Sequence, residues 1–553
     1  MRTTRHPERR QLATSGRSPG RPARAGLIAL AGAACVAIGV GPALAAGAAP
    51  PVATASASRL SAAPADDGSW TVYHGNPAGT GLAASVSAVD TGSRAWTSPA
   101  LDGDIYGEPL AWSGRIYVAT ERDTVYALSS ASGAVIWSEH VGTPVPSGLL
   151  PCGDIQPVVG ITGTPVIDPA RDEIFAVADE LVNGQPAHIL VGLSAASGKP
   201  EMSQDVDPPG ASTAALLQRT GLALDGDHVL LGMGGNDGDC ATYRGRVIAA
   251  RVTGGTPTIF TVDAAPGESQ GAIWMGGAAP AVDSSGNIWV SAGNGSVRSS
   301  SHAYDDSDSV LELSPSLHLL QYFAPGSWAA NNAGDLDMSI EPALLPDGQV
   351  LLAGKSDIVY LLDGAHLGGI GGQEATLGPV CVSNIDGGFA AVGTTVYLPC
   401  LSGIVAVRAS GSPAGLRLLW NSGTAGGPPI VAAGLIWSIG QNGVLYGLDP
   451  ATGEVRQQAS VGTPANHFPT PSVGDGLLLA PSARHVVAFT TTASGSAAAA
   501  GSASAPPTSP ASQAPAASGG GPSPAAIGGI AAAALIVAGG AGWLLWRRRS
   551  GVR

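Results

Sequence analysis

A short phrase of two strands and a turn recurs along the chain, and this repetition limits the possible fold more than any other feature. Its clearest copies lie at residues 114–128 and 434–449, where apolar and polar residues alternate and Gly, Asp and Ser form the turns. Alternation with a period of two residues, interrupted by such turns, is typical of β-hairpins. Weaker copies bring the total to eight, at a mean spacing of about fifty residues.

A period of this length, with four short strands in each copy, predicts a β-propeller. One four-stranded blade cannot cover its own faces, so neighbouring blades must stack and the ring must close. The eighth copy lacks an outer strand, and residues 94–98 resemble that missing strand. We therefore predict an all-β, eight-bladed propeller over residues 70–489, closed by residues 94–98, with seven blades as the alternative. Three tryptophans are expected on outer strands between blades, namely Trp96, Trp137 and Trp420.

The first 45 residues have the order of a secretory signal peptide. An Arg-rich start precedes a short apolar stretch at residues 26–40, and Ala-Leu-Ala at residues 43–45 is a small-x-small cleavage site. The pair Arg9-Arg10 leaves the twin-arginine export route open beside the general route. Residues 46–69 are expected to form a flexible segment ahead of the propeller.

The other end of the chain predicts a membrane anchor. Residues 525–546 carry no charge and are followed by three arginines. A helix of this length spans roughly 33 Å, enough for the hydrocarbon core of a bilayer. Arginines favour the cytoplasmic side, which makes 547–553 a cytoplasmic tail. Residues 490–524 are rich in Ala, Ser, Gly and Pro, which predicts a disordered stalk. We expect a single-pass protein of the cytoplasmic membrane with an extracellular propeller.

The part predicted to lie outside the membrane is strongly acidic. Seven of the 27 basic residues precede residue 26 and four follow residue 546, whereas only one of the 41 acidic residues is removed with these ends. The exterior therefore carries about −24, against −14 for the whole chain. Such a surface repels phosphate backbones, so nucleic acid is not an expected partner. A wall polymer or another exported protein is the expected kind of ligand.

Four cysteines remain after the predicted signal is removed: Cys152, Cys240, Cys381 and Cys400. An even number in an oxidising compartment predicts two disulfides, for which three pairings are possible. We favour Cys381–Cys400 because these residues are close in sequence, which leaves Cys152 with Cys240. A metal site is disfavoured because the sequence has no C-x-x-C pair.

The phrase Ile-Tyr-Val-Ala-Thr, Val-Tyr-Ala-Leu, Ser-Gly and Trp within residues 116–137 resembles the pyrroloquinoline quinone (PQQ) repeat. That repeat builds the eight-bladed propellers of quinoprotein alcohol dehydrogenases and of many non-enzymatic relatives. The resemblance covers roughly residues 70–489. The runs at 151–155, 160–168 and 271–280 are similar to those of secreted PQQ-like propellers of mostly unassigned activity. Cysteines recur there at the places of Cys152 and Cys240, which supports that pairing.

The resemblance also implies a cofactor site over the propeller axis, because the dehydrogenases hold PQQ there beside a Ca²⁺ ion. Hard oxygen ligands suit Ca²⁺, which polarises the quinone carbonyl. By their motifs, Asn294, Asp239 and Asp337 resemble the calcium ligands, and Asp335 and Asp337 resemble the segment with the catalytic acid. Lys355 resembles the basic residue that contacts the quinone, with Asn294 beside it in the cofactor site.

Three departures put this chemistry in doubt. The adjacent cysteine pair of the dehydrogenases is absent, since Cys152 stands alone, and Leu336 replaces the expected Trp between the two acids. Asp239 would have to replace a Glu, which is longer by one carbon. We therefore expect a cell-surface binding or scaffold module. The alternative is a PQQ- and calcium-dependent dehydrogenase that oxidises an alcohol or sugar outside the membrane. Such an enzyme would need a separate electron carrier, because the sequence has no C-x-x-C-H haem motif.

Overall fold

The computed structural model describes residues 68–494, whose main strands form eight antiparallel blades. From inner to outer strand, blade 1 comprises Leu110–Trp112, Arg115–Thr120, Thr124–Ser129 and Val135–His140, and blade 2 comprises Val166–Asp168, Glu173–Val182, Gln185–Ser194 and Pro200–Asp205. Blade 3 comprises Ala223–Asp225, His228–Gly235, Arg246–Arg251 and Thr258–Thr261. Blade 4 comprises Ala281–Val282, Ile288–Ala292, Ser309–Leu313 and Leu319–Ala324. Blade 5 comprises Ala343–Leu344, Gln349–Ala353, Val359–Asp363 and Ala375–Leu377, and blade 6 comprises Ala390–Val392, Thr395–Cys400, Gly403–Gly411 and Ala414–Asn421. Blade 7 comprises Ile430–Ala432, Leu435–Ile439, Val444–Leu448 and Val455–Ser460. Blade 8 comprises Ser472–Gly474, Leu477–Ser482 and His485–Ala493, with Trp96–Thr97 as its outer strand.

Shorter elements decorate this ring. The strands Leu216–Leu217 and Gly369–Ile370 add to blades 3 and 4, and Val145–Pro146 pairs with Val158–Val159. One α-helix, Trp328–Gly334, lies within residues 68–494. The four 3₁₀ turns of the same range are Tyr73–Gly75, Ser147–Leu149, Thr213–Ala215 and Met275–Gly277.

The N-terminal strand closes the ring as the sequence predicts. Trp96 and Thr97 pair antiparallel with Ala488 and Val487, on the third strand of blade 8. That strand continues to Ala493 because Val86–Val89 also pairs with its far end. The count of eight blades and the closing role of residues 94–98 are confirmed.

The predicted tryptophans lie at blade boundaries. Trp137, on the outer strand of blade 1, donates its indole N–H to Ala195 O of blade 2 at 3.1 Å. Its ring covers Gly198, where an added Cβ would come within 2.5 Å of Trp137 Cε3. The same pairing occurs at two other boundaries, Trp96 with Gly133 and Trp420 with Gly453. A turn glycine in one blade thus makes room for the tryptophan of its neighbour.

Residues 68–83 cross the inner strands near the propeller axis. Trp70 bridges to Ala111 of blade 1, and Pro77 O accepts the N–H of Val282 of blade 4 at 2.7 Å. Leu82–Ala83 then pairs in parallel with the inner strand of blade 7. The segment therefore hydrogen-bonds to inner strands that are far apart in sequence and lies within the central channel.

The topology places every predicted site residue at one end of this channel. Neighbouring strands are antiparallel, so the connection from second to third strand and the connection from outer strand to the next blade lie at the same end. Asp239, Asn294 and Lys355 occupy the first kind of connection in blades 3, 4 and 5. Asp335 and Asp337 lie in the connection from blade 4 to blade 5. We call the end lined by these two kinds of connection the mouth.

Both predicted disulfides are present. Cys152–Cys240 joins the connection between blades 1 and 2 to blade 3, and Cys381–Cys400 joins the connection before blade 6 to that blade's second strand. Within residues 68–494 no helix is long and apolar enough to cross a membrane. The predicted signal peptide, the greater part of the stalk and the predicted membrane helix at 525–546 lie outside the described residues.

Candidate functional site

Four of the predicted site residues form one polar cluster at the mouth. Asn294 donates its backbone N–H to Asp337 Oδ1 at 2.6 Å and its side-chain N–H to Asp335 Oδ1 at 3.1 Å. The ammonium of Lys355 pairs with Asp337 Oδ2 and lies 3.4 Å from Asp335 Oδ1. The structure thus brings together Asn294, Asp335, Asp337 and Lys355, from blades 4 and 5 and the connection between them. We call this set the mouth cluster.

The two acids of the mouth cluster are held in different environments. Asp335 caps the C-terminus of the helix Trp328–Gly334 in a left-handed conformation, with φ 56°, and its side chain is 73% exposed. The side chain of Asp337, two residues later, is 1% exposed. Gly293 permits this burial, because a Cβ there would lie 2.7 Å from Asp337 Oδ1. The chain therefore presents one carboxylate to solvent and encloses the other.

The charges around Lys355 favour its ammonium form. Burial alone opposes the charge, but Asp337 outweighs this effect, so that the pKa of Lys355 lies above its usual value. Asp386, in the connection from blade 5 to blade 6, also contributes to this field. Burial raises the pKa of Asp386 to about 7, although Ser339 and Lys355 act in the opposite direction. The sequence reasoning missed Asp386, because it lies in an Asp-Gly-Gly turn with no repeat signature.

Asp239 lies at the mouth but outside the mouth cluster. Its backbone is left-handed, with φ 50°, and its Oδ1 accepts the hydroxyl of Tyr243 at 2.6 Å. Burial is the main effect that raises the pKa of Asp239, and the charges of Asp337 and Asp335 add to it. The carboxylate of Asp239 is therefore close enough to interact electrostatically with the mouth cluster, whereas its hydrogen bond is made with Tyr243.

The oxygen atoms of these residues decide whether a calcium ion fits. Asn294 Oδ1 is buried and accepts no hydrogen bond from the described residues, so it is free to serve as a ligand. Asp337 uses one oxygen for the Asn294 N–H and the other for the Lys355 ammonium. Within residues 68–494 no three His, Cys, Asp or Glu side chains are grouped closely enough to hold a metal. Calcium ligation by Asp239, Asn294 and Asp337 stays a prediction, because Asp239 is hydrogen-bonded to Tyr243 and both oxygens of Asp337 already have partners.

Comparison with known proteins bears on the repeat and on the fold. The family model described as outer membrane protein assembly factor BamB, a PQQ-repeat model, matches residues 82–308. The quinohemoprotein alcohol dehydrogenase of Comamonas testosteroni is 16% identical, with a TM-score of 0.59 over 77% of this chain and 81% of that chain. The quinohemoprotein alcohol dehydrogenase ADHIIG of Pseudomonas putida HK5 is 14% identical, with a TM-score of 0.58 over 76% of this chain and 80% of that chain. Residues 82–308 of this chain are therefore similar to the PQQ-repeat family model, and the likeness to these dehydrogenases shows a shared propeller fold.

A third similar structure extends this likeness to a further dehydrogenase. A europium-containing methanol dehydrogenase is 14% identical to this chain, with a TM-score of 0.56 over 76% of this chain and 98% of that chain. No curated protein sequence matches the chain. At these identities the structural likeness shows the shared propeller fold, and function must be argued from the site.

The propeller carries a second polar feature at its axis, which the sequence patterns did not predict. Arg219 lies in the connection from blade 2 to blade 3, and Phe468 lies in the connection from blade 7 to blade 8. The guanidinium carbon of Arg219 is 5.3 Å from the centre of the Phe468 ring, within cation–π distance. Blades 3 and 8 are three positions apart in the ring, so this contact crosses the channel.

Glycines from other connections meet beside this contact. A Cβ on Gly276, before blade 4, would lie 2.4 Å from Gly387 Cα, before blade 6. A Cβ on Gly387 would in turn lie 3.5 Å from Phe468 Cδ1. The connections therefore converge on the axis, and the mouth has a floor formed by Arg219, Phe468, Gly276, Gly277 and Gly387.

Proposed function

We propose that this chain is a ligand-binding propeller whose binding site is the mouth. The observation that carries this proposal is the ion pairing of Lys355 with both Asp337 and Asp335, which Asn294 fixes through two hydrogen bonds. A charged group held in this way is pre-organised and loses little conformational freedom when a ligand binds. Asp335 remains open to solvent, so the mouth cluster can contact a ligand without rearranging.

The same contacts weigh against oxidation chemistry. A general base must be unprotonated and within hydrogen-bond reach of the proton that it removes. Asp337 is enclosed, and both of its oxygens already have partners in Asn294 and Lys355. Asp335 is exposed to solvent and is paired with Lys355 and Asn294. These features support binding rather than proton abstraction.

We further propose that the propeller is displayed outside the cytoplasmic membrane by the C-terminal segment. The third strand of blade 8, His485–Ala493, begins at the mouth and ends at the opposite end of the ring. The chain therefore leaves the propeller on the side away from the mouth. A tether attached there would hold the mouth facing away from the membrane, where a wall polymer or an exported protein can reach it.

A PQQ-dependent dehydrogenase is the second candidate function. It is favoured by one observation, that Asn294, Asp335, Asp337 and Lys355 are together, as the resemblance to such enzymes implies. The two candidates differ in whether PQQ is held by this cluster.

Calorimetric titration of the full-length protein with PQQ and Ca²⁺ separates the two candidates. Asn294→Ala and Lys355→Ala alter the mouth cluster, and Lys199→Ala, at an exposed position next to the outer strand of blade 2, is the matched control. If the chain is a binding module, we expect no saturable binding of PQQ that is lost when Asn294 or Lys355 is replaced. Stoichiometric binding that is lost in both variants and kept in Lys199→Ala would instead support the dehydrogenase.

A further inference from the structure

Arg219 is a cation without a polar partner among residues 68–494. Its guanidinium donates no hydrogen bond and forms no ion pair to any described side chain, although it has five N–H donors. The residue is half-buried, so it is not sealed off from solvent. Its contact with Phe468 covers one face of the guanidinium and leaves the N–H groups at the edges unused. Unused donors on a fixed guanidinium match a planar anion.

The backbone is shaped to leave space for this guanidinium. Gly277 has φ 94°, and a Cβ there would lie 2.4 Å from Arg219 Nη1. Gly277 O also accepts the N–H of Gly221, which ties the connection before blade 4 to the one that carries Arg219. The guanidinium is therefore held in place by contacts between two blades, unlike the side chain of a freely moving surface arginine.

The charged side chains near Arg219 limit the kind of anion that can bind to its guanidinium. Asp154 and Glu121 lie close enough to act on Arg219 electrostatically, and Asp237 and Asp335 lie at the same mouth. A dianionic phosphate would be repelled by these carboxylates more strongly than a singly charged carboxylate. Phe468 offers apolar ring surface next to the guanidinium. Together these groups favour a carboxylate attached to a flat apolar ring.

We propose that Arg219 and Phe468 form a subsite for an aromatic carboxylate, in which Arg219 binds the carboxylate and Phe468 contacts the ring. This inference rests on the proposed binding function and names the chemical class of the ligand. Gly277 keeps the subsite open, and the mouth cluster lies beside it at the same end of the channel.

Ligand-observed NMR of the full-length protein tests this proposal with benzoate as the probe. Benzoate is expected to bind saturably, and Arg219→Gln to weaken binding by roughly tenfold or more, as loss of a charge-assisted pair implies. Arg417→Gln, at an exposed position on the outer strand of blade 6, is the matched control and should bind as the natural protein does. Phe468→Leu should reduce the affinity for benzoate to that for acetate, because the cation remains and the ring is lost.

Two other probes test whether binding requires the negative charge of the ligand and whether the subsite prefers a carboxylate to a phosphate. Benzamide, which has the ring without the charge, should show no dependence on Arg219, and inorganic phosphate should compete with benzoate only weakly. The proposal is overturned by equal benzoate binding in Arg219→Gln, by no saturable binding to the natural protein, or by phosphate binding more tightly than benzoate. Thermal unfolding of each variant shows that it is folded. PQQ-dependent alcohol oxidation would contradict the proposed function while leaving the benzoate result unchanged, so the two failures are distinguishable.

Discussion

Lys355 and Asp337 form an ion pair across the connection between blades 4 and 5, with the carboxylate enclosed and the ammonium only 21% exposed. Loss of one member of an enclosed pair leaves an uncompensated charge, which costs more than removal of both. The pair is therefore a structural support of the mouth as well as part of the proposed binding site.

A double-mutant cycle on this pair should show strong coupling. Lys355→Met or Asp337→Asn alone is expected to lower the free energy of unfolding by about 2–3 kcal/mol, because the partner's charge remains buried. The double variant should recover most of that loss. Urea unfolding of the four proteins at pH 7 measures the coupling. Additive single effects would show that the two side chains do not interact in solution.

The tryptophan–glycine pairing between blades gives a second prediction. Gly198→Ala places a Cβ against the ring of Trp137 and strains a backbone with φ 74°, so we expect a loss of about 2–3 kcal/mol. Gly184→Ala, with φ 78° and open space around its Cβ, carries the backbone strain alone and should cost about 1 kcal/mol. Thermal or urea unfolding compares the two. Equal losses would mean that the tryptophan contact contributes nothing.

A buried acidic group between blades 1 and 2 predicts that stability falls at high pH. Asp123 is fully buried, and neither of its carboxylate oxygens has a hydrogen-bond partner among residues 68–494. Burial raises the pKa of Asp123 to about 9 and those of Glu121 and Asp179 to about 7. Burial opposes protonation of His188, but Asp179 and Asp207 outweigh it and raise the pKa of His188 to about 9.

The pKa values of all four groups are raised in the folded state. At these four groups the folded state holds more protons than the unfolded chain between about pH 4 and pH 9, so their contribution to the free energy of unfolding falls as the pH rises through this window. Asp123→Asn removes one of these protons and should flatten the decline, with the largest gain in stability near pH 9. Urea unfolding from pH 5 to pH 9 measures the slope. A stability that rises with pH over this range would contradict the assignment.

The fold was predictable from the sequence because each blade has its own local pattern of residues and because this pattern repeats along the chain. Each hairpin carries its own alternation and turn residues, and a missing outer strand in the last copy points to the strand around Trp96. The mouth cluster was predictable only in part: the resemblance supplied Asn294, Asp335, Asp337 and Lys355. The contact between Arg219 and Phe468 joins residues almost 250 positions apart through connections that lie outside the repeat. No local pattern signals such a contact, because closure of the ring creates it.

Dye-linked oxidation distinguishes a mouth that only binds a ligand from a mouth that oxidises it. Full-length protein with PQQ and Ca²⁺ is assayed on a panel of alcohols and sugars, beside Lys355→Ala and Lys199→Ala. A mouth that only binds its ligand gives no substrate-dependent dye reduction above the level of Lys355→Ala. Substrate-dependent reduction by the natural protein and by Lys199→Ala, abolished in Lys355→Ala, would contradict it.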